Sequence, residues 1–284
     1  MNTKPARKPR PYWHVDAKWM TSLILVVVLS ITLLLFNLWQ LTAEKPAVEI
    51  LSTAMALAFS PNGLDEEIDL AAVREQIQAS PDGLFHPLPG LPVTVREEEI
   101  TNLSPRELRL YVFRQLAEPI YQGGVEGLAA QVGDPEAGAS IVAAGRMLNL
   151  FTLETHRTLE RPLAIAAALS GLLLIPLVIF SYRFGRLGCP GCVFVAASLP
   201  TALLLAFLST VDPPPGATPP GGEGSLFAVA GSLVTNLIPL LIQTTARTYL
   251  VAVAAGLLLL LLALLWQIIW SVARRRRPAE SSGD

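Results

Sequence analysis

The chain has 284 residues, 52% hydrophobic and 15% charged, with a mean hydropathy of +0.48 and a formal net charge of −2. Ordinary soluble domains carry about 25% charged residues, so this is not the composition of one. The apolar residues are also gathered: Met20–Leu41, Pro162–Tyr182, Cys192–Val211 and Thr248–Val272 contain no Asp, Glu, Lys or Arg. A helix rises about 1.5 Å per residue and the hydrocarbon layer is about 30 Å thick, so each run is long enough to cross it. The expected fold is an all-α membrane protein, with four transmembrane helices and a mostly helical extracytoplasmic insert between the first and second spans.

Residues 1–19 form a basic N-terminal tail with five cationic groups and one acidic group. The tail is rich in proline and shows no periodicity, so no fixed structure is expected there. Residues 20–41 are transmembrane helix 1, read as an uncleaved signal anchor with Trp19 and Trp39 at the interfaces. Leu41-Thr-Ala43 is a poor match to a cleavage site.

Residues 42–161 are the insert, with eighteen acidic and nine basic groups. Ala47, Ile50, Leu51, Ala54, Leu57 and Ala58 recur at helical spacing. Ser60-Pro-Asn-Gly63 stops that helix, and Asp69 caps another carrying Leu70, Val73 and Ile77. Ser80–Val95 holds four prolines and two glycines and reads as an irregular loop. Thr94-Val-Arg-Glu97 fits a weak capping box. Ser104-Pro-Arg-Glu107 is the clearest start signal: a serine cap, proline where the N–H has no helical partner, and glutamate three residues on. The cap also gives Asn102-Leu-Ser104 a structural reading beside that of a glycosylation acceptor. Leu108, Tyr111, Val112, Leu116 and Ile120 should be buried, Pro119 should kink the helix, and Gly123-Gly124 should end it. Asp134-Pro135 marks a further cap, followed by Ile141, Ala144, Leu148 and Phe151.

Residues 162–182 are transmembrane helix 2, 183–191 a cytoplasmic turn, and 192–211 transmembrane helix 3. The Pro/Gly-rich linker and the amphipathic helix that follow occupy 212–247. That helix is expected to pack on the insert or lie at the interface; a fifth span would have to reverse within Gln243–Tyr249. Transmembrane helix 4 is 248–272, closed by Trp266, Trp270 and four arginines, and 273–284 is a basic tail. Lys and Arg are retained on the cytoplasmic side. With four spans, the N-terminus, the turn and the C-terminus share one side, and eleven basic residues agree on it. Lys45, Arg157, Arg161 and Arg247 lie opposite. The expected location is the plasma membrane, multi-pass, with both termini cytoplasmic. Arginine outnumbers lysine seventeen to four, which points toward a bacterial membrane.

Candidate chemistry is sparse. Cys189-Pro-Gly-Cys192 resembles the pairs used by zinc knuckles and thiol–disulfide catalysts. Zinc wants four ligands, and the cytoplasmic segments add only His14. A tight Pro-Gly turn is the simpler reading. His156 and Glu160 are four apart, on one helix face, and are a second metal or proton-sharing candidate. His86 has no partner in view, and Asp65-Glu-Glu-Ile-Asp69 and Glu97-Glu-Glu99 lack the spacing of a calcium loop. No cofactor is implied. The partners expected are the lipid bilayer and a protein partner or second copy; so short an arginine run does not mark a nucleic-acid surface. The charge-free spans argue against a proton- or ion-coupled carrier, while Ala167 with Gly171 and Ala252 with Gly256 suit close helix contact. Three functions remain: a non-catalytic sensor, binding or envelope-assembly accessory protein; a membrane enzyme using His156, Glu154 and Glu160 with His86; and a transporter or channel subunit.

Overall fold

A computed structural model of the protein describes residues 13–58, 70–80, 84, 93–96, 103–130, 142, 145–181, 184–210 and 226–275. For residues 13, 14, 58, 70, 71, 74, 226–241 and 273–275 it describes the backbone alone. The described elements are helical. They are α1 Trp13–Leu41, α2 Glu44–Ala58, α3 Leu70–Ala79, α4 Pro105–Ala129, a 3₁₀ turn Arg146–Phe151, α5 Leu153–Phe180, α6 Gly185–Thr210 and α7 Leu226–Arg275. Four helical stretches are long and apolar enough to cross a membrane: Val15–Leu41, Leu153–Phe180, Gly185–Thr210 and Ile242–Val272. The protein is therefore a multi-pass membrane protein. The chain divides into two compact units, the first comprising Met1–Leu35, Pro162–Ala206 and Ala246–Asp284, the second Phe36–Arg161 and Phe207–Thr245.

In the first unit, Leu25 and Leu29 of α1 pack with Leu177 of α5 and with Val193 and Ala197 of α6. Lipid tails are as apolar as leucine, so such helices associate through close packing and interhelical hydrogen bonds. Both are present. Thr32 Oγ1 lies 3.0 Å from Ser170 Oγ, and Ser30 Oγ donates to the Ala197 carbonyl at 3.4 Å. Short hydroxyl side chains make these bonds. Large apolar side chains of this unit, such as Leu203, Leu258 and Ile269, are exposed, as a lipid-facing surface requires.

Helices α6 and α7 cross closely at two glycines. A Cβ placed on Gly191 would lie 2.9 Å from the Gly256 carbonyl oxygen, and one on Gly256 would lie 3.0 Å from that of Gly191. Gly256 is thus a contact glycine, as its sequence pattern suggests. Gly171 has nothing within 4 Å of the same position, so the matching Ala167/Gly171 pattern is not used within this unit.

Two boundaries differ from the sequence reading. Helix α6 begins at Gly185, so Cys189-Pro-Gly-Cys192 is helical and not the expected turn. Gly191 serves the crossing with α7. Helix α7 is a single helix of 50 residues that continues through Gln243–Tyr249. That stretch holds no glycine or proline, and its three threonines each cost only some tenths of a kcal/mol. An unbroken helix cannot turn back, so residues 226–247 are the leading half of α7.

The second unit has its own core, built mainly from α2 and α4. Ala47, Val48, Leu51, Met55 and Leu57 meet Leu108, Val112, Phe113, Leu116, Ile120, Tyr121, Val125 and Leu128, with Val73 and Ile77 from α3. The cap of α4 is formed as its sequence predicts. Ser104 Oγ accepts from Glu107 N at 3.3 Å, and Glu107 Oε2 accepts from Ser104 N at 2.9 Å. The Ser104 hydroxyl also donates to Glu107 Oε2 at 2.7 Å, and this bond first, the Ser104 N–H second, holds the Glu107 carboxyl below the usual glutamate value. Pro119 lies inside the helix, and the break falls at Gly124, with φ 70° and ψ −175°, after which the helix resumes. Asn149 Oδ1 accepts from Val125 N at 2.9 Å and so caps the resumed turn.

The end of the expected irregular loop is ordered. Val93 and Val95 are fully buried. Gln115 Nε2 donates to Thr94 O at 2.9 Å and its Oε1 accepts from Thr94 N at 3.2 Å, so one amide side chain takes up both backbone groups of Thr94. Asp69, the stop at Ser60–Gly63, the cap at Asp134-Pro135 and Ile141 and Ala144 lie outside the described residues.

Candidate functional site

The histidine candidate is built by the joint between α1 and α2 and by the start of α5. Thr152 precedes α5; its Oγ1 donates to Asn149 O at 3.1 Å and accepts from Thr155 N at 3.4 Å. This fixes the first turn of α5 and places His156 in it. The ring of His156 stacks on Trp39, with centroids 5.0 Å apart and planes 25° apart. Its Nδ1 lies 3.1 Å from the Trp39 carbonyl oxygen and 3.2 Å from Thr42 Oγ1. A proton on Nδ1 satisfies the carbonyl, so the geometry selects the Nδ1–H tautomer. Phe36 also stacks with Trp39, with centroids 6.1 Å apart. Trp39 therefore belongs to an aromatic stack as well as to the end of a span. Its Nε1 is buried with no hydrogen-bond partner among the described residues.

Glu160, the proposed companion of His156, is exposed. The structure brings His156 to Trp39 and Thr42, and it holds no group of three or more His, Cys, Asp or Glu able to bind a metal among the described residues. His86, Asp65–Asp69 and Glu97–Glu99 lie outside the described residues, as does the side chain of His14. Cys189 is half-buried against the first unit's core and Cys192 is exposed; both are free thiols.

Sequence reasoning passed over an open cleft of about 400 Å³ in the second unit. It is lined by Gln122 of α4 and by Leu153, Glu154, Arg157, Thr158 and Arg161 of α5. Glu154, Arg157, Thr158 and Arg161 are spaced i, i+3, i+4, i+7, which puts them in one stripe along the helix. The pattern is present in the sequence, but without the opposing Gln122 it reads as a solvated face. Beside the cleft, the buried Tyr121 hydroxyl is pushed above the usual tyrosine value by burial, with Glu44 adding to the shift and Arg157 opposing it. In the first unit, Phe184, Arg186, Leu187, Ala263, Trp266 and Trp270 line a second cleft of about 430 Å³. Phe184 meets Trp270 edge-on there, at 6.2 Å and 74°. Comparison with protein-family models, with curated proteins and with solved structures finds no match.

Proposed function

We propose that the protein is a plasma-membrane binding or sensing protein, or an accessory subunit of an envelope assembly, that acts through its second unit without catalysing a reaction. In this reading the unit is extracytoplasmic and both termini are cytoplasmic. The cationic termini, with Arg183 and Arg186 between the second and third spans, support that orientation, because Lys and Arg near span ends stay on the cytoplasmic side. The observation that supports a binding role is the open cleft of about 400 Å³ lined by Gln122, Leu153, Glu154, Arg157, Thr158 and Arg161. His156 stands beside it as a structural pin, with Nδ1 held by Trp39 O and Thr42 Oγ1 and the ring stacked on Trp39.

The test is purification of the full chain with native lipids, followed by identification of what accompanies it. A stoichiometric protein or lipid ligand that persists in His156→Ala is the expected result. A bound metal lost in His156→Ala, or solute flux in liposomes, contradicts the reading.

A further inference from the structure

The cleft lined by Gln122 and the α5 stripe is the feature the binding role leaves without a ligand. Its chemistry is ordered along the helix. At about 1.5 Å per residue, Glu154 lies roughly 10 Å from Arg161 along the axis, with Arg157 between them. Arg161 is the last charged residue of α5. Pro162–Tyr182 then carries no charge at all. The arginine end of the stripe is therefore the end that meets hydrocarbon, where the phosphates of lipid headgroups lie, and Glu154 is one to two turns further into water. Neither guanidinium forms an ion pair with a described carboxylate. Gln122 and Thr158 add neutral polar groups, although Thr158 Oγ1 itself donates to Glu154 O at 2.8 Å.

We propose that this cleft binds a phosphodiester headgroup, with the phosphate on Arg157 and Arg161 and a primary ammonium facing Glu154. Guanidinium groups bind phosphate through paired, charge-assisted hydrogen bonds, a geometry that ammonium groups do not reproduce. A phosphate alone would leave the Glu154 carboxylate as a like charge at the rim. A phosphoethanolamine group carries its cation two carbons from its phosphate and converts that repulsion into a contact. The ligand class is thus a zwitterionic aminophospholipid. The site rests on the binding role proposed above, but it does not depend on which side of the membrane the second unit occupies.

The test uses the full chain in detergent, with native mass spectrometry after exposure to one of three probes: diacyl phosphatidylethanolamine, diacyl phosphatidylglycerol or soluble glycerophosphoethanolamine. Retention of phosphatidylethanolamine should fall at least tenfold in the double variant Arg157→Gln, Arg161→Gln. The charge-conserving pair Arg157→Lys, Arg161→Lys should lose part of it, and Arg186→Gln should retain it fully. Glu154→Gln should erase or invert the preference for phosphatidylethanolamine over phosphatidylglycerol. Unchanged thermal unfolding of each variant separates loss of the site from loss of the fold. Soluble glycerophosphoethanolamine bound as tightly as the lipid would keep the phosphate chemistry and overturn the lipid source. Lipid retention unchanged in the double glutamine variant overturns the site. Lipid bound at the arginines with no assembly partner would instead refute the accessory role and leave the site standing.

Discussion

The crossing of α6 and α7 gives the sharpest quantitative test, because the chain contains an internal control. Replacing Gly191 by alanine adds a Cβ 2.9 Å from the Gly256 carbonyl oxygen and 3.1 Å from the Leu260 amide nitrogen. Both are backbone atoms, so no rotamer change relieves the contact. Ordinary carbon contacts lie at roughly 3.5–4.0 Å, so the helices must part by about half an ångström or more. Overpacking of this kind costs about 1–3 kcal/mol. Gly→Ala also raises helix propensity, by up to about 1 kcal/mol in water, and that gain opposes the clash. Gly171→Ala, with nothing within 4 Å of the new Cβ, receives the propensity gain and meets no clash. The difference between the two variants therefore isolates the contact, and Gly191→Ala should be less stable than Gly171→Ala by about 1–3 kcal/mol. Gly256→Ala, whose Cβ would meet Val195 Cγ2 at 2.8 Å, should behave like Gly191→Ala. Thermal or denaturant unfolding in one detergent, for all three variants, measures it. A companion assay is oxidative cross-linking of Gly188→Cys with Ala263→Cys in a Cys189→Ser, Cys192→Ser background. The Cβ separation there is 3.7 Å, within the range a disulfide accepts. Equal stabilities for Gly191→Ala and Gly171→Ala, with no cross-link, would refute the crossing.

Three further outcomes are expected. His156→Ala should lower stability by roughly 1–3 kcal/mol, from a lost hydrogen bond and a lost ring stack, without changing metal content by elemental analysis. Gly124→Ala should cost about 1–3 kcal/mol, because φ 70° with ψ −175° is open in practice only to glycine; circular dichroism on heating would show it. The depressed Glu107 carboxyl contributes stability that is present above the usual glutamate range and is lost as pH falls through its folded-state value. Ser104→Ala should flatten that acid limb from the usual glutamate value downward, read as the melting temperature across a pH series.

The parts of the fold visible in the sequence are those governed by one-dimensional rules. Charge-free length gives the four spans, and Ser104-Pro-Arg-Glu107 gives the capping box, because both depend on residues close together in the chain. Leu108, Val112, Leu116 and Ile120 also follow from spacing alone. What escaped depends on partners far apart in sequence. Thr94 looks like loop until Gln115, 21 residues on, takes up both of its backbone groups. His156 looks available to Glu160 until Trp39 and Thr42 arrive from the α1–α2 joint. The Pro-Gly of Cys189–Cys192 suggests a turn because those residues usually break helices in water; in lipid Gly191 instead permits helix contact. The arginine stripe of α5 becomes a cleft only when Gln122 of α4 stands opposite it.

The central claim is that the second unit lies outside the cytoplasm and the cationic termini inside. In a Cys189→Ser, Cys192→Ser background, Glu126→Cys places a thiol at an exposed site of that unit and Ser281→Cys places one in the basic tail. A membrane-impermeant maleimide applied to intact cells, with the outer envelope permeabilised where one is present, should label position 126 at once and position 281 only after lysis. Labelling of 281 with protection of 126 would reverse the orientation and contradict the account.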